Sequence, residues 1–206
     1  MQDLLKTVQI LREDNHQNID ASIIRLSRDF AREKIDNTWW SLSETPEEAI
    51  QAEGDSHWKW EDIVLDYSDN SLYDCIALLS PEGYLEGAMA YQFNVESKLE
   101  KGKGSIYIGW LASAPHNRGW LVSRPQYRGI GTILLYWAVI ESYNAGLEGR
   151  ISLQSLPTAS TIRFYESKGF VRTDSTQPAM GLVDYELPKS AASAWLKKTE
   201  IYHDKC

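Results

Sequence analysis

Two glycines separated by one residue stand directly before an apolar, helix-like pattern in the middle of this chain. The segment reads RPQYRGIGTILLYW over residues 124–137. Because glycine lacks a Cβ atom, Gly129 and Gly131 allow a tight turn and the close approach of a bulky anion. The first amides of a helix have no partner within the helix, and the helix dipole adds positive potential there. Residues 126–132 are therefore expected to bind a phosphate or pyrophosphate group.

Two common phosphate-binding motifs are excluded by the residues that they require. A Walker A loop needs GxxxxGK followed by Ser or Thr, and the sequence contains no such string. A dinucleotide fingerprint needs a third small residue at position 134, which is Leu134, and a βαβ unit from the start. A lone GxG pair also occurs in ordinary turns before helices, so the loop by itself leaves a purely structural role open.

Gln126, Gly129 and Gly131 match the Q/R-x-x-G-x-G/A signature of the GNAT superfamily of acyltransferases, which this chain resembles. A second motif, FYESKGF at residues 164–170, is similar to the family's helix that ends in a tyrosine followed four residues later by Gly-Phe. The resemblance covers residues 75–187 well and the N-terminal third in outline. It implies an N-acetyltransferase that transfers the acetyl group of acetyl-CoA to the primary amine of a small molecule or a peptide.

The resemblance also implies roles for individual residues. The loop amides would bind the CoA pyrophosphate, and the pantetheine would lie between two splayed strands. Tyr165 would protonate the departing thiolate, and a strand amide near Leu111 or Ala112 would polarise the thioester carbonyl. The residues expected to bind the cofactor are Leu111, Ala112, Gln126, Tyr127, Arg128, Gly129, Ile130, Gly131 and Thr132.

Two features of the chain depart from the family pattern or leave it ambiguous. Many members carry Asn and Ala seven and four residues before the tyrosine, where this chain has Thr158 and Thr161. The strand ahead of the phosphate loop has two interpretations, residues 106–113 (IYIGWLAS) and residues 121–125 (LVSRP). We favour the first, with residues 116–120 as an insertion that borders the pocket.

Hydrophobic periodicity predicts the elements that must position these residues. Strands are expected at residues 7–12, 75–79, 85–95, 106–113, 151–156, 170–173 and 182–187. Helices are expected at residues 18–35, 130–140 and 157–168, with a short helix start at 46–48 and a terminal helix at 191–196. A strand meander followed by strand and helix alternation predicts one α+β domain over residues 1–206, with an acyl-CoA-binding core at about 75–187. Its centre would be a mixed, mostly antiparallel sheet flanked by helices, as in the GNAT fold.

Composition limits the partners and the location of the protein. The formal net charge of -8 disfavours a nucleic-acid partner and weakly favours a cationic acceptor, such as a polyamine, an aminoglycoside-like compound or a protein amino terminus. No apolar run approaches the roughly 20 residues that span a bilayer. The start of the chain lacks the features of a signal peptide, which predicts a cytoplasmic protein. An exposed sheet edge would permit a homodimer.

The sequence does not single out a general base. The candidates are His57, Asp74, Glu86, Glu96 and His116, and a base that acts through waters is equally consistent with the family.

The two cysteines, Cys75 and Cys206, have no CxxC or CxxH spacing, which predicts reduced thiols and no metal site. Cys75 lies in an apolar run and is interpreted as a core residue rather than a nucleophile. Arg118, Arg124 and Arg128 either face a phosphorylated ligand or are scattered surface charges.

Residues 37–70 are unusually aromatic, and their rings either line a substrate pocket or, the reading we favour, cover the sheet. Two other functions stay open at this stage: a non-catalytic acyl-CoA sensor or interaction module, and an α+β protein with no CoA site.

Overall fold

Nine strands form one mixed sheet in the part of the chain that the computed structural model describes, residues 3–41, 45–68, 70–173 and 181–203, with side chains described to residue 196. The strands are β1 (Leu4–Arg12), β2 (Asn18–Arg25), β3 (Tyr73–Leu79), β4 (Leu85–Glu96), β5 (Gly104–Ser113), β6 (Tyr127–Arg128), β7 (Ile151–Ser155), β8 (Val171–Arg172) and β9 (Val183–Leu187). The helices are α1 (Arg28–Ala31), α2 (Glu47–Gln51), α3 (Trp60–Ser68), α4 (Ile130–Asn144), α5 (Ala159–Ser167) and α6 (Lys189–His203).

The strand order across the sheet is β6-β1-β2-β3-β4-β5-β7-β9-β8. β5 and β7 run parallel, whereas the β1–β2, β2–β3, β1–β6, β7–β9 and β8–β9 pairs are antiparallel. The predicted fold class, a mixed and mostly antiparallel sheet flanked by helices, is confirmed. Within the described residues, no helix has both the length and the apolar character needed to cross a membrane.

The chain divides into two compact units. The first comprises Met1–Ala90 and Trp110–Leu134, and the second comprises Tyr91–Gly109 and Leu135–Cys206. Strands β4 and β5 and helix α4 each contribute residues to both units. The expectation of a single domain with an acyl-CoA-binding core stays a prediction.

The predicted helix at residues 18–35 is wrong over its first half. Residues 18–25 form β2, which pairs with β1 on one side and β3 on the other. Their β-branched residues suit a strand, and the two ladders satisfy backbone groups that a helix would have bonded internally. The helical part begins at α1 and continues as one π-helical turn, Arg32–Asp36, in which the Asn37 amide donates to the Arg32 carbonyl at 3.1 Å.

The core of the first unit is built from aromatic and aliphatic side chains. Trp39 and Trp60 are buried, with ring centroids 6.4 Å apart in an edge-to-face arrangement. Helix α3, which the sequence patterns did not predict, places Trp60, Ile63 and Val64 in this core. Burying each side chain of this size contributes about 1.5–3 kcal/mol, so these buried residues stabilise the unit.

Small residues at the start of β4 allow the first unit to pack closely. A Cβ atom added to Gly87 would lie 2.5 Å from Ile130 Cγ2 and 3.1 Å from the Ala112 carbonyl oxygen. Ile130 opens helix α4, so a side chain at position 87 would displace the start of that helix.

Most of the remaining strands lie close to their predicted bounds. β3, β4, β5, β7 and β9 each begin and end within two residues of the pattern, whereas α4 begins as predicted and ends four residues later, at Asn144. In α5, Thr158 is the N-cap and its side-chain oxygen accepts from the Thr161 amide at 3.2 Å. The two threonines that depart from the family pattern therefore cap this helix.

Candidate active site

The predicted phosphate loop leads directly into helix α4. Gly129 has a φ of +82°, and a Cβ atom built there would meet no atom within 4 Å. The Ile133 amide is the first to bond within the helix, donating to the Gly129 carbonyl at 2.9 Å. The amides of Ile130, Gly131 and Thr132 therefore have no intrahelical partner, which is the arrangement that binds anions.

The first half of the loop is held in place by the rest of the first unit. Residues 127–128 form β6 against the end of β1. The Tyr127 amide donates to Asn117 Oδ1 at 2.9 Å, and the buried Tyr127 hydroxyl donates to Glu82 Oε2 at 2.8 Å. The Gln126 carbonyl accepts from the Glu13 amide at 3.0 Å. The loop is thus preorganised up to Arg128 and open from Gly129 onward.

The arginines near the loop do not form one phosphate-facing cluster. Arg118 is buried and pairs with Glu53 and Asp55, whereas Arg128 pairs with Glu13 and Arg124 is exposed. Burial lowers the pKa of Arg118, but hydrogen bonds and attraction from Asp55 and Glu53 outweigh it, so the net pKa is raised. The pairing of Arg118 contradicts the reading in which it faces a phosphorylated ligand.

Strand β5 is the strand that precedes the loop, since residues 121–125 form no strand. Leu111 and Ala112 lie in its last four residues, with Leu111 half-buried and Ala112 buried. Within the second unit, the parallel pairing of β5 with β7 covers only three residue pairs, which begin with Ile106 opposite Ile151 and end with Ile108 opposite Leu153.

The side chain of Tyr165 is packed among other rings in the second unit. Its ring centroid lies 5.1 Å from that of Phe164, 5.4 Å from Phe170 and 5.6 Å from Tyr185. Burial, and to a lesser extent the charge of Tyr185, raise the pKa of Tyr165 to about 12. This phenol therefore stays protonated through the neutral and moderately alkaline range, as a proton donor must.

A buried carboxylate at the start of β4 meets a histidine from the loop after β5. Glu86 is fully buried, and its Oε2 lies 2.7 Å from His116 Nε2. Asn117 Nδ2 donates to the same oxygen at 2.8 Å. Oε1 of Glu86 is buried with no hydrogen-bond partner among the described residues. Burying a carboxylate in this way is costly unless it is compensated, so a functional role is indicated.

His116 also lines a cavity of about 170 Å³ in the first unit. The lining includes Lys34, Trp39, Tyr84, Leu85, His116 and Gln126. Gln126 is the first residue of the phosphate loop, so this cavity adjoins the loop. His116 belongs to the segment that the sequence analysis interpreted as an insertion bordering the pocket, and that interpretation stays a prediction.

The other candidate bases lack comparable surroundings. Asp74 pairs with Arg25 at 3.1 Å, Glu96 accepts from the Gly102 amide at 3.4 Å, and His57 is exposed. None of these three lines the cavity beside His116.

Cys75 is buried, and burial raises the pKa of its thiol to about 12, with a smaller contribution from the charge of Asp74. Cys206 lies outside the described residues. In a Cys206→Ser variant, we expect no reaction of the native protein with a thiol reagent at neutral pH and one equivalent after denaturation, because the thiolate is the reactive form. Rapid labelling of the native variant would show that Cys75 is not a core residue. In the described part of the chain, no group of three or more His, Cys, Asp or Glu side chains is arranged to hold a metal ion.

A second, smaller cavity of about 110 Å³ lies among the tryptophans of the aromatic segment. Its acidic side chains already have partners. Asp36 accepts from the Trp60 and Glu61 amides at 2.8 and 2.9 Å, and Asp55 pairs with Arg118. These carboxylates stabilise the unit and are not available to a cationic ligand.

The Glu86, His116 and Asn117 constellation was not predicted from the sequence as a unit. His116 and Asn117 lie 30 and 31 residues from Glu86 along the chain, and only the return of the chain after β5 brings them together. One signal was present, because Glu86 is the lone charge in the apolar run LEGAMAY. A charge in such a run must find a partner in the folded protein.

No protein-family model and no curated protein sequence matches this chain significantly. Solved structures do match its fold. A GNAT-family acetyltransferase from Staphylococcus aureus Mu50 is 15% identical, covers 82% of this chain and 99% of its own, and gives a TM-score of 0.57. The GNAT domain of S. lividans PAT is 13% identical over 87% of this chain and 95% of its own, with a TM-score of 0.59.

A third match is a mutant of the toxin AtaT bound to the C terminus of the antitoxin AtaR and to acetyl-CoA. It is 17% identical, covers 85% of this chain and 98% of its own, and gives a TM-score of 0.55. At these identities the matches establish the fold.

Proposed function

We propose that this chain, which has the fold of the GNAT acetyltransferases, is an N-acetyltransferase that transfers an acetyl group from acetyl-CoA to a primary amine. The observation that carries the proposal is the loop at Gly129. Three successive amides there have no intrahelical partner, and the segment before them is held in place by strand pairing and hydrogen bonds. A preorganised row of amides at a helix start suits a pyrophosphate.

Residues 126–132 hold the pyrophosphate of CoA in this proposal. The amides of Ile130, Gly131 and Thr132 donate to phosphate oxygens, and Gly129 leaves room for them. Gln126, Tyr127 and Arg128 set the position of the loop, and their backbone borders the cofactor. The amides of Leu111 and Ala112 at the end of β5 lie beside the pantetheine and polarise the thioester carbonyl.

The reaction needs no covalent enzyme intermediate. The neutral amine attacks the thioester carbon, a C–N bond forms, the C–S bond breaks with its electron pair on sulfur, and the nitrogen loses one proton to solvent. Tyr165 donates its phenolic proton to the departing thiolate and regains it from solvent, so that CoA leaves as a thiol.

Replacing Tyr165 by phenylalanine is expected to lower kcat by about 100-fold, which is typical for the loss of a general acid. Acetyl-CoA affinity should be unchanged, because only the hydroxyl is lost. Steady-state CoA release and calorimetric binding measure the two quantities. Since the pKa of Tyr165 is about 12, the wild type should show no loss of rate from this group up to about pH 10.

The matched control is Tyr143→Phe, which removes a phenol that contacts Ser193 Oγ at 2.9 Å. If Tyr165→Phe turns over as fast as Tyr143→Phe, Tyr165 is not the acid.

The function itself is tested by two measurements on the full chain. Acetyl-CoA should raise the unfolding temperature, as any ligand that binds only the native state does. Incubation with a panel of amines, peptides and aminoglycoside antibiotics should release free CoA. Stabilisation without turnover across the panel would favour the alternative, a non-catalytic acyl-CoA sensor or interaction module, and no stabilisation would exclude both.

The proposed setting is the cytoplasm, because a buried reduced Cys75 suits a reducing compartment. The partners proposed are acetyl-CoA and a small amine or a peptide, with no nucleic acid and no membrane. A homodimer stays part of the proposal, and light scattering would test it.

A further inference from the structure

Three observations converge on the cavity beside His116. A fully buried carboxylate, Glu86, contacts the imidazole of His116, and one of its oxygens has no hydrogen-bond partner in the described part of the chain. The cavity adjoins the phosphate loop through Gln126. It also contains Lys34, which lies in the π-helical turn Arg32–Asp36. Turns of this kind are rare and occur frequently at functional sites.

The contact with Glu86 fixes which nitrogen of His116 can accept a proton. Glu86 Oε2 lies 2.7 Å from Nε2, so an ionised carboxylate places the ring proton on Nε2. Nδ1 then carries the lone pair, and it has no hydrogen-bond partner among the described residues. The side chain of His116 is 38% exposed and lines the cavity. A carboxylate behind an imidazole orients the ring and compensates the charge that it gains with a proton.

The charges of the cavity limit what can enter it. Lys34 forms no ion pair with any described residue. The carboxylate of Glu86 contacts His116 and accepts a hydrogen bond from Asn117. The rest of the lining is largely apolar. The Trp39 indole N–H donates to the Leu85 carbonyl at 2.9 Å, and the hydroxyl of Thr38, which also lines the cavity, donates to the Lys34 carbonyl at 2.7 Å. A second cationic group placed at Lys34 would be repelled by it, whereas a carboxylate or phosphate group there would be attracted; the reacting ammonium lies instead beside His116 and Glu86.

Size gives a further limit. A cavity of about 150 Å³ is large enough to hold benzene, so a cavity of about 170 Å³ admits a side chain of that order.

We infer that this cavity is the acceptor site, that His116 takes the proton of the acceptor's ammonium group, and that Lys34 binds an anionic group carried by the same acceptor. The inference rests on the proposed function. It narrows the substrate class to amines that bear a carboxylate or phosphate, and it disfavours the polyamines that the net charge of the chain suggested.

The proton balance of the step is as follows. His116 Nδ1 accepts one proton from R–NH3+ and passes it to solvent, and Glu86 compensates the imidazolium in between. The free amine attacks the thioester carbon, the tetrahedral adduct loses one nitrogen-bound proton, and the thiolate gains one. The products are the amide, CoA thiol and one proton released to solvent.

The charged and titratable groups that face His116 are Glu86 from β4, Lys34 from the π-helical turn and Tyr84 from the turn before β4. In His116→Gln, kcat should fall by about 100-fold and the acidic limb of the wild-type pH–rate profile should disappear, with acetyl-CoA affinity unchanged. The glutamine amide can still donate to Glu86, so the fold is retained.

Two further variants separate catalysis from structure. His57→Gln changes an exposed histidine outside the cavity and should leave the rate and pH profile unchanged. Glu86→Gln keeps the shape of the positioning residue but removes its charge, so kcat should fall and the acidic limb should move, with little change in the KM of the acceptor.

The acceptor class is tested with matched amines that differ only in a carboxylate: phenylalanine against phenethylamine, tryptophan against tryptamine, and lysine against cadaverine. CoA release should favour the carboxylated member by at least about 10-fold in kcat/KM, equal to about 1.4 kcal/mol. Lys34→Gln should remove this preference by raising the KM of the carboxylated amine, whereas Lys103→Gln, at an exposed loop lysine, should not.

The outcomes are distinguishable from failure of the proposed function. A wild type that neither binds acetyl-CoA nor releases CoA removes the function and the inference together. A wild type that acetylates amines while His116→Gln keeps its rate and pH profile overturns only the base. Preference for the decarboxylated partner, or no use of any carboxylated amine, overturns only the acceptor class.

Discussion

Replacing Gly129 by glutamate is expected to weaken acetyl-CoA binding by at least about 100-fold, or about 2.7 kcal/mol, while the protein stays folded. Position 129 faces open space, so the new side chain meets no steric obstacle. Its carboxylate would stand in front of the amides of Ile130 and Gly131, where the proposal places the pyrophosphate. Like charges at this distance repel, and the carboxylate would itself accept the amide hydrogen bonds.

The backbone at Gly129 requires a matched control. Its φ of +82° disfavours any side chain by about 1–2 kcal/mol, which lowers stability independently of binding. Gly102 has a φ of +75° and also faces open space, in the loop between β4 and β5. Gly102→Glu should therefore show a similar loss of unfolding temperature and unchanged affinity by titration calorimetry. Equal affinities for the two variants would remove the loop from the CoA site.

Replacing Arg118 by leucine is expected to lower the free energy of unfolding by about 3–5 kcal/mol, because it breaks a buried ion-pair network from one side. Arg118 Nη1 lies 2.7 Å from Glu53 Oε2 and 2.7 Å from Asp55 Oδ1, and its Nε donates to the Ser113 carbonyl at 3.0 Å. The side chain is only 4% exposed and lies over the Trp40 ring. The variant leaves two mostly buried carboxylates without a counter-charge.

A chain of this length should lose about 6–20 °C in unfolding temperature from such a change. Arg28→Leu is the control, since Arg28 pairs with Glu61 at 2.9 Å but is half exposed, and it should cost less than about 1 kcal/mol. Neutralising Glu53 and Asp55 to their amides in the Arg118→Leu background should recover part of the loss. If Arg118→Leu is as stable as Arg28→Leu, the network does not stabilise the unit.

Segments whose apolar residues form a local pattern were predicted well, whereas a segment whose structure depends on a distant strand was not. Helix α4 and strand β7 were predicted within a few residues, because their apolar residues lie on faces that periodicity reveals. The helix predicted at residues 18–35 was wrong over its first half because the apolar residues of this segment also fit helical spacing. These residues are Ile19, Ile23, Leu26 and Phe30. Pairing of β2 with β1 and β3 decided the outcome, and the pairing with β3, which sets Ser22 opposite Leu79, leaves no local signal.

The candidate site also contains parts that the sequence predicted and parts that only the structure revealed. The loop at Gly129 and the helix that carries Tyr165 are each contiguous in sequence, so their motifs were visible. The contact between Glu86 and His116 depends on where the chain returns after β5, which no motif encodes. Lys34 was also missed, because a single lysine in a helical pattern is normally a solvated residue.

The hydrogen bond from the Tyr127 amide to Asn117 offers a way to observe the site without any ligand. Asn117 also donates to Glu86, so this one amide reports on the loop start and on the carboxylate behind His116 together. Tyr127 is fully buried, so its amide hydrogen should exchange slowly with deuterium. Its exchange rate would follow the integrity of both parts of the site in each variant, before an acceptor has been identified.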